Sequence, residues 1–97
     1  MPGAVRKGDI CSGHGSCVPR VNDEGSTDVF INGIGAHRLG DHWTEHPGGS
    51  KCHHDGYLSE GSPNVFVNGL ALGRICDDIS CGSTCAEGSG DVIINGN

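Results

Sequence analysis

Three times the chain spells Glu-Gly-Ser, at 24–26, 60–62 and 87–89, and then runs through an apolar triplet into Asn-Gly. The triplets are Val29-Phe30-Ile31 before Asn32-Gly33, Val65-Phe66-Val67 before Asn68-Gly69, and Val92-Ile93-Ile94 before Asn95-Gly96. Asn-Gly between short apolar runs is a strong hairpin signal, because both residues tolerate the positive φ of a type I′ turn. Three hairpins are predicted. The first two return through 34–41 and 70–77, ending in Arg-x-x-Asp at Arg38/Asp41 and Arg74/Asp77. The third reaches Asn97 with no return strand, while residues 2–9 carry the same ending at Arg6/Asp9. The N-terminal segment is therefore expected to supply the missing strand beside Val92–Asn95, closing the molecule on itself. The repeats are 24–41, 60–77 and 87–97 with 2–9, one all-β domain over 1–97 with a pseudo-threefold arrangement of β-hairpins. Such a shape suits the true threefold axis of a homotrimer, each unit meeting one subunit.

Composition limits what this domain can bury. Leu, Ile, Val and Phe number 20 of 97 residues, beside 18 glycines, so a staple or a partner is expected to make up for a thin core. The net charge of −6, with no basic stripe, argues against phosphate-driven binding to nucleic acid or anionic lipid. The N-terminus lacks the apolar stretch of a signal peptide, and no run of about 18 apolar residues is present.

Three Gly-, Ser- and Pro-rich connectors, at 10–23, 42–59 and 78–86, hold most of the Cys and His. His14 and His46 each stand five residues after the Asp of Arg-x-x-Asp, and Cys81 stands four after it. Repeat equivalence brings these three together, and the middle connector offers His53 or His54 as a fourth ligand for a closed tetrahedral zinc site. The candidate set is His14, His46, His54 and Cys81. Local disulfides, Cys11 with Cys17 and Cys81 with Cys85, are the alternative use of the cysteines, leaving Cys52 and Cys76 paired or free. His37 and His42 read as solvated surface residues. Glu45 beside His46 is the nearest thing to a general base, but no hydrolase or phosphate-loop motif accompanies it, and no enzyme is predicted.

The run Gly-Ser-x-Asn-Val-Phe-Val-Asn-Gly, followed by a return strand ending in Arg-x-x-Asp, resembles the PAAR-repeat family, named for Pro-Ala-Ala-Arg on that strand. Here Gly3-Ala4-Val5-Arg6, Gly35-Ala36-His37-Arg38 and Ala71-Leu72-Gly73-Arg74 stand in its place, each keeping the arginine. The resemblance spans essentially the whole chain. It implies a small conical β domain with zinc near its apex, held by three His and one Cys, and it favours His54 over His53. It also implies a non-catalytic cap on the blunt C-terminal β-helix of a trimeric spike, one cap per trimer, in a contractile phage tail or a type VI secretion system. The compact length looks most like the tail-tip protein of a T4-like virion, touching the outer membrane transiently during puncture. A free-standing zinc-stabilised β module, binding another ligand through its loops, is the other expectation. The apolar base is expected among Val29, Ile31, Val65, Val67, Val92 and Ile94 or their alternating neighbours, since a one-residue slip in register exchanges the two faces.

Overall fold

The computed structural model describes residues 2–15, 17–46, 52 and 54–94. Its strands are β1 (Phe30–Ile31), β2 (Ile34–Gly35), β3 (His42–Trp43), β4 (Gly56–Tyr57), β5 (Phe66–Val67) and β6 (Leu70–Ala71). They pair antiparallel as β1 with β2, β3 with β4 and β5 with β6, three separate two-stranded sheets. Two of these are the Asn-Gly hairpins. Asn32 and Gly33 take φ of 55° and 77°, and Asn68 and Gly69 take 53° and 79°, the double positive φ that the type I′ turn requires. The third Asn-Gly, at 95–96, lies outside the described residues.

The expected closure by pairing of the N- and C-terminal strands is corrected here. Among the described residues no sheet closes or curls, and Gly3 meets Ile93 through an isolated antiparallel bridge. The physical reason lies in where the return segments send their backbone groups. After two residues of pairing in the first two hairpins, and after the single Gly3–Ile93 bridge in the third, each segment turns inward to the other two instead of continuing alongside its hairpin partner. Val5 N–H donates to the Gly73 carbonyl at 2.9 Å, Gly73 N–H to His37 at 2.9 Å, and His37 N–H to Val5 at 3.0 Å. Single bridges flank this triangle, Arg6 to Ala36, Arg38 to Leu72 and Ala4 to Arg74.

Each return segment then ends in the same turn. Asp9, Asp41 and Asp77 donate their N–H to the carbonyls of Arg6, Arg38 and Arg74 at 3.1, 2.9 and 3.0 Å. Each carboxylate in turn accepts from its arginine's N–H, Nε and Nη2 at 2.8–3.0 Å. The third turn residue has positive φ, 90° at Gly8 and 87° at Gly40, as a type II turn demands. Cys76 holds the equivalent place at 78°, a conformation that costs a side chain about 1 kcal/mol or more. At the other end of each repeat, Ser26, Ser62 and Ser89 accept from the N–H groups two and three residues on. The repeated Ser is thus the cap that bends the chain into each hairpin.

The triangle separates two small cores. Ala4, Ile31, Ala36, Val67, Leu72 and Ile94 form one, with Val65 and Val92 packed against it. Val5, Cys11, Trp43, Leu58, Ile79 and Cys85 form the other, so neighbouring residues Ala4 and Val5 feed different cores. The register is now decided: Ile31, Val67 and Ile94 point in, while Phe30, Phe66 and Ile93 are 58%, 59% and 45% exposed. His37 is corrected as well. It is fully buried, not solvated, with Nδ1 donating to the Glu24 carbonyl at 2.7 Å and its ring edge-on to Trp43.

The Arg74–Asp77 pair is the most enclosed of the three, with side chains 9% and 4% exposed. Removing one partner of a buried pair strands the other's charge and costs roughly 3 kcal/mol or more. Asp77→Ala is therefore expected to lower the unfolding free energy by about that amount in urea titration.

Candidate metal centre

The described parts of the connectors each place a candidate ligand. His14 and Cys17 exchange backbone hydrogen bonds at 3.0 and 2.8 Å, with Gly13 and Gly15 at positive φ on either side of the histidine. In the third connector Ile79 accepts from Gly82 and donates to Ser83, and Gly82 at φ 104° turns the loop under Cys81. The middle connector carries His46 and His54, joined by a backbone contact of 3.4 Å from His46 N–H to the His54 carbonyl.

The four side chains converge. One ligand atom from each of His14, His46, His54 and Cys81 lies within 4.8 Å of every other. His14 Nε2 is 2.9 Å from His54 Nε2, and His46 Nε2 is 3.7 Å from Cys81 Sγ. Zinc bonds of about 2.0 Å to nitrogen and 2.3 Å to sulfur place tetrahedral ligands roughly 3.3–3.6 Å apart. These two separations fall on either side of that range, and all four atoms lie within 4.8 Å of one another. His46 is buried, and its Nδ1 is 2.8 Å from the Val18 carbonyl, which can only accept. Nδ1 therefore donates to that carbonyl and leaves Nε2 as the ring atom facing the cluster, the orientation that a metal-binding histidine needs. Burial first, then the nearness of His46 and His54, pushes the His14 pKa down and favours the neutral imidazole that metals bind. Three imidazoles and a thiol suit zinc or another borderline transition metal and exclude magnesium or calcium.

A disulfide between Cys17 and Cys52 braces the cluster. It joins the first connector to the second, three residues after His14 and two before His54. Neither of the alternative local pairings forms, since Cys11, Cys76, Cys81 and Cys85 are free thiols. His53, the other option for a fourth ligand, lies outside the described residues. His42 stands apart from the cluster and is tied to two carboxylates, Nδ1 to Asp23 at 2.7 Å and Nε2 to Asp55 at 2.8 Å. The sequence reading also missed Arg20, whose Nη2 lies 3.1 Å from Cys81 Sγ.

The PAAR motif family model matches residues 7–86 and, in a second and overlapping match, 48–97. This chain belongs to the PAAR motif family. PAAR domains are non-catalytic structural modules and generally cap trimeric spike proteins. No curated protein sequence matches this PAAR chain.

Two outcomes check the bracing and the electrostatics. The Cys17–Cys52 bond closes a loop across 35 residues, for which chain entropy gives about 3–4 kcal/mol. The Cys17→Ser/Cys52→Ser double variant is expected to lose a large part of that in thermal unfolding. The hydrogen bonds of His42 to Asp55 and Asp23 raise its pKa, so its contribution is present below the unfolded value near 6.5 and fades as pH rises through the folded one. The stability gap between wild type and His42→Ala should accordingly shrink from pH 6 to pH 8, and a gap independent of pH counts against this charge arrangement.

Proposed function

We propose that this protein is the structural cap of a trimeric β-helical spike, one chain seated on three, sharpening the blunt tip for passage through a bacterial outer membrane. The observation that carries the proposal is the outward trio Phe30, Phe66 and Ile93. These are equivalent positions of three repeats, each exposed by about half, in a chain with few large apolar side chains. Ile34, Leu70 and Val29 add further exposed apolar surface on the same repeats. Exposed apolar side chains repeated in this way mark an interaction surface. Three equal copies call for a partner with three equal sites. A trimeric β-helix ends in three open strand edges, which one such cap covers together.

In this reading His14, His46, His54 and Cys81 hold a structural zinc ion. The ion would supply a crosslink among three connectors whose shared apolar core is small, worth on the order of 10 kcal/mol where such sites fold small domains. The connectors then stiffen the end of the cap that leads, while the hairpins bind the spike. The setting is the tip of a contractile tail, of a virion or of a type VI secretion spike, with force concentrated on a small point and no chemistry performed by the chain.

Light scattering of the chain mixed with the C-terminal β-helix of a trimeric tail spike should give one chain and one zinc per three spike chains. Phe66→Asp should weaken that complex at least tenfold while leaving the zinc content unchanged, and His46→Ala should lower zinc content and melting temperature together. A zinc-loaded monomer that ignores every trimeric spike tested would favour a free module binding through its loops.

A further inference from the structure

Arg20 is 5% exposed, yet among the described residues no carboxylate oxygen lies within ion-pair distance of it. A buried guanidinium without compensation is costly, so its actual partners carry the explanation. Nε donates to the Thr44 carbonyl at 2.6 Å. Nη1 donates to Cys11 Sγ at 3.2 Å and Ser83 Oγ at 3.4 Å. Nη2 donates to Cys81 Sγ at 3.1 Å. Four of the five N–H bonds of the fork are thereby used.

The surroundings are shaped for this fork. The guanidinium carbon lies 5.5 Å from the centre of the Trp43 ring, which supports its plane. A side chain at Gly56 would meet Nη2 at 3.1 Å and Ile79 at 3.0 Å, so the absence of a Cβ there leaves the space Arg20 occupies. Arg20 comes from the first connector, Thr44 stands two residues before His46 in the second, and Cys81 and Ser83 belong to the third.

We infer that Arg20 is the positioning residue of the metal site proposed above, fixing the Cys81 sulfur and the segment leading to His46 through one rigid fork. The inference rests on that site being a metal centre and adds what holds its sulfur ligand in place. A hydrogen bond to a ligating sulfur lowers the energy of its lone pair. It therefore moves sulfur-to-metal charge transfer to shorter wavelength. Outer partners of metal ligands are commonly worth 10- to 100-fold in affinity.

The test uses the full chain loaded with cobalt(II), following the near-ultraviolet sulfur-to-cobalt band and the dissociation constant. Wild type should bind one cobalt with that band. Arg20→Met should bind at least tenfold more weakly, with the band at longer wavelength, a displacement that loss of packing alone would not produce. Arg20→Lys keeps the charge and the apolar stem but cannot reach Thr44 and both sulfurs together, so it should also lose affinity. This second variant decides the matter where Arg20→Met does not fold. Wild-type band position and affinity in Arg20→Lys, or in a folded Arg20→Met, would overturn the role of Arg20 while leaving the metal site intact. A wild type that binds cobalt without the sulfur band overturns the metal centre itself, and this inference with it.

Discussion

The cycle of hydrogen bonds among Val5, His37 and Gly73 is the constraint on which the rest of the architecture rests. Three segments far apart in sequence each give one N–H and one carbonyl to it, so none of these inward backbone groups is left unpaired. A point where three backbones meet has little room for side chains. The three residues are one large, one medium and one with no side chain at all. His37 packs its ring against Trp43, and Gly73 leaves room for Leu58, since a Cβ on Gly73 would fall 2.8 Å from the Leu58 side chain and 3.3 Å from the His37 carbonyl oxygen. Equivalence of the repeats holds for the backbone and is broken in the side chains so that the centre packs.

Around that centre, polar groups do much of the work that apolar mass does in larger domains. The three Arg-x-x-Asp turns bring cations and carboxylates together in largely enclosed positions, and hydrogen bonding to the carboxylates raises the pKa of each arginine. Arg6 also reaches Asn32, and Arg38 reaches Asn68, each in the next hairpin. Asn32 and Asn68 donate in turn to Asp91 and Asp28. The turn asparagines thus serve twice, accepting positive φ and stitching neighbouring repeats. On the connector side the means change to a disulfide, a His/Cys cluster and a buried guanidinium. Loops this rich in glycine lose much conformational entropy on ordering, and the small core of Cys11, Trp43, Leu58, Ile79 and Cys85 that they share offsets only part of it.

The hairpins, the Arg-x-x-Asp endings and the convergence of His14, His46 and Cys81 were legible because each is a local pattern repeated at equivalent positions, while His54 was favoured over His53 by the family resemblance alone. Equivalence in sequence became proximity in space. The errors came where a residue's fate depends on a segment that does not resemble its own. His37 looked like a loop histidine, and its burial follows from lying over Gly73 and against Trp43, neither of which its neighbours announce. The partner of Cys17 was not legible either: spacing offers Cys11 as an alternative, and the bond to Cys52 joins it to another connector. Arg20 carried no signal, for nothing in Val18-Pro19-Arg20-Val21 distinguishes a buried fork from a surface cation.

Taken by itself, the sequence determined the hairpin turns, the side-chain alternation within each triplet and the candidate donors for a metal, because these depend on φ preference, a period of two and donor chemistry. Tertiary structure alone decided which face of each triplet points inward, where the return segments send their hydrogen bonds and which cysteines pair. Alternation leaves the choice of face open until something packs against it, and a backbone group takes whichever partner the assembled fold brings within 3 Å. That is why strands that looked ready to close a sheet turned inward to the triangle instead.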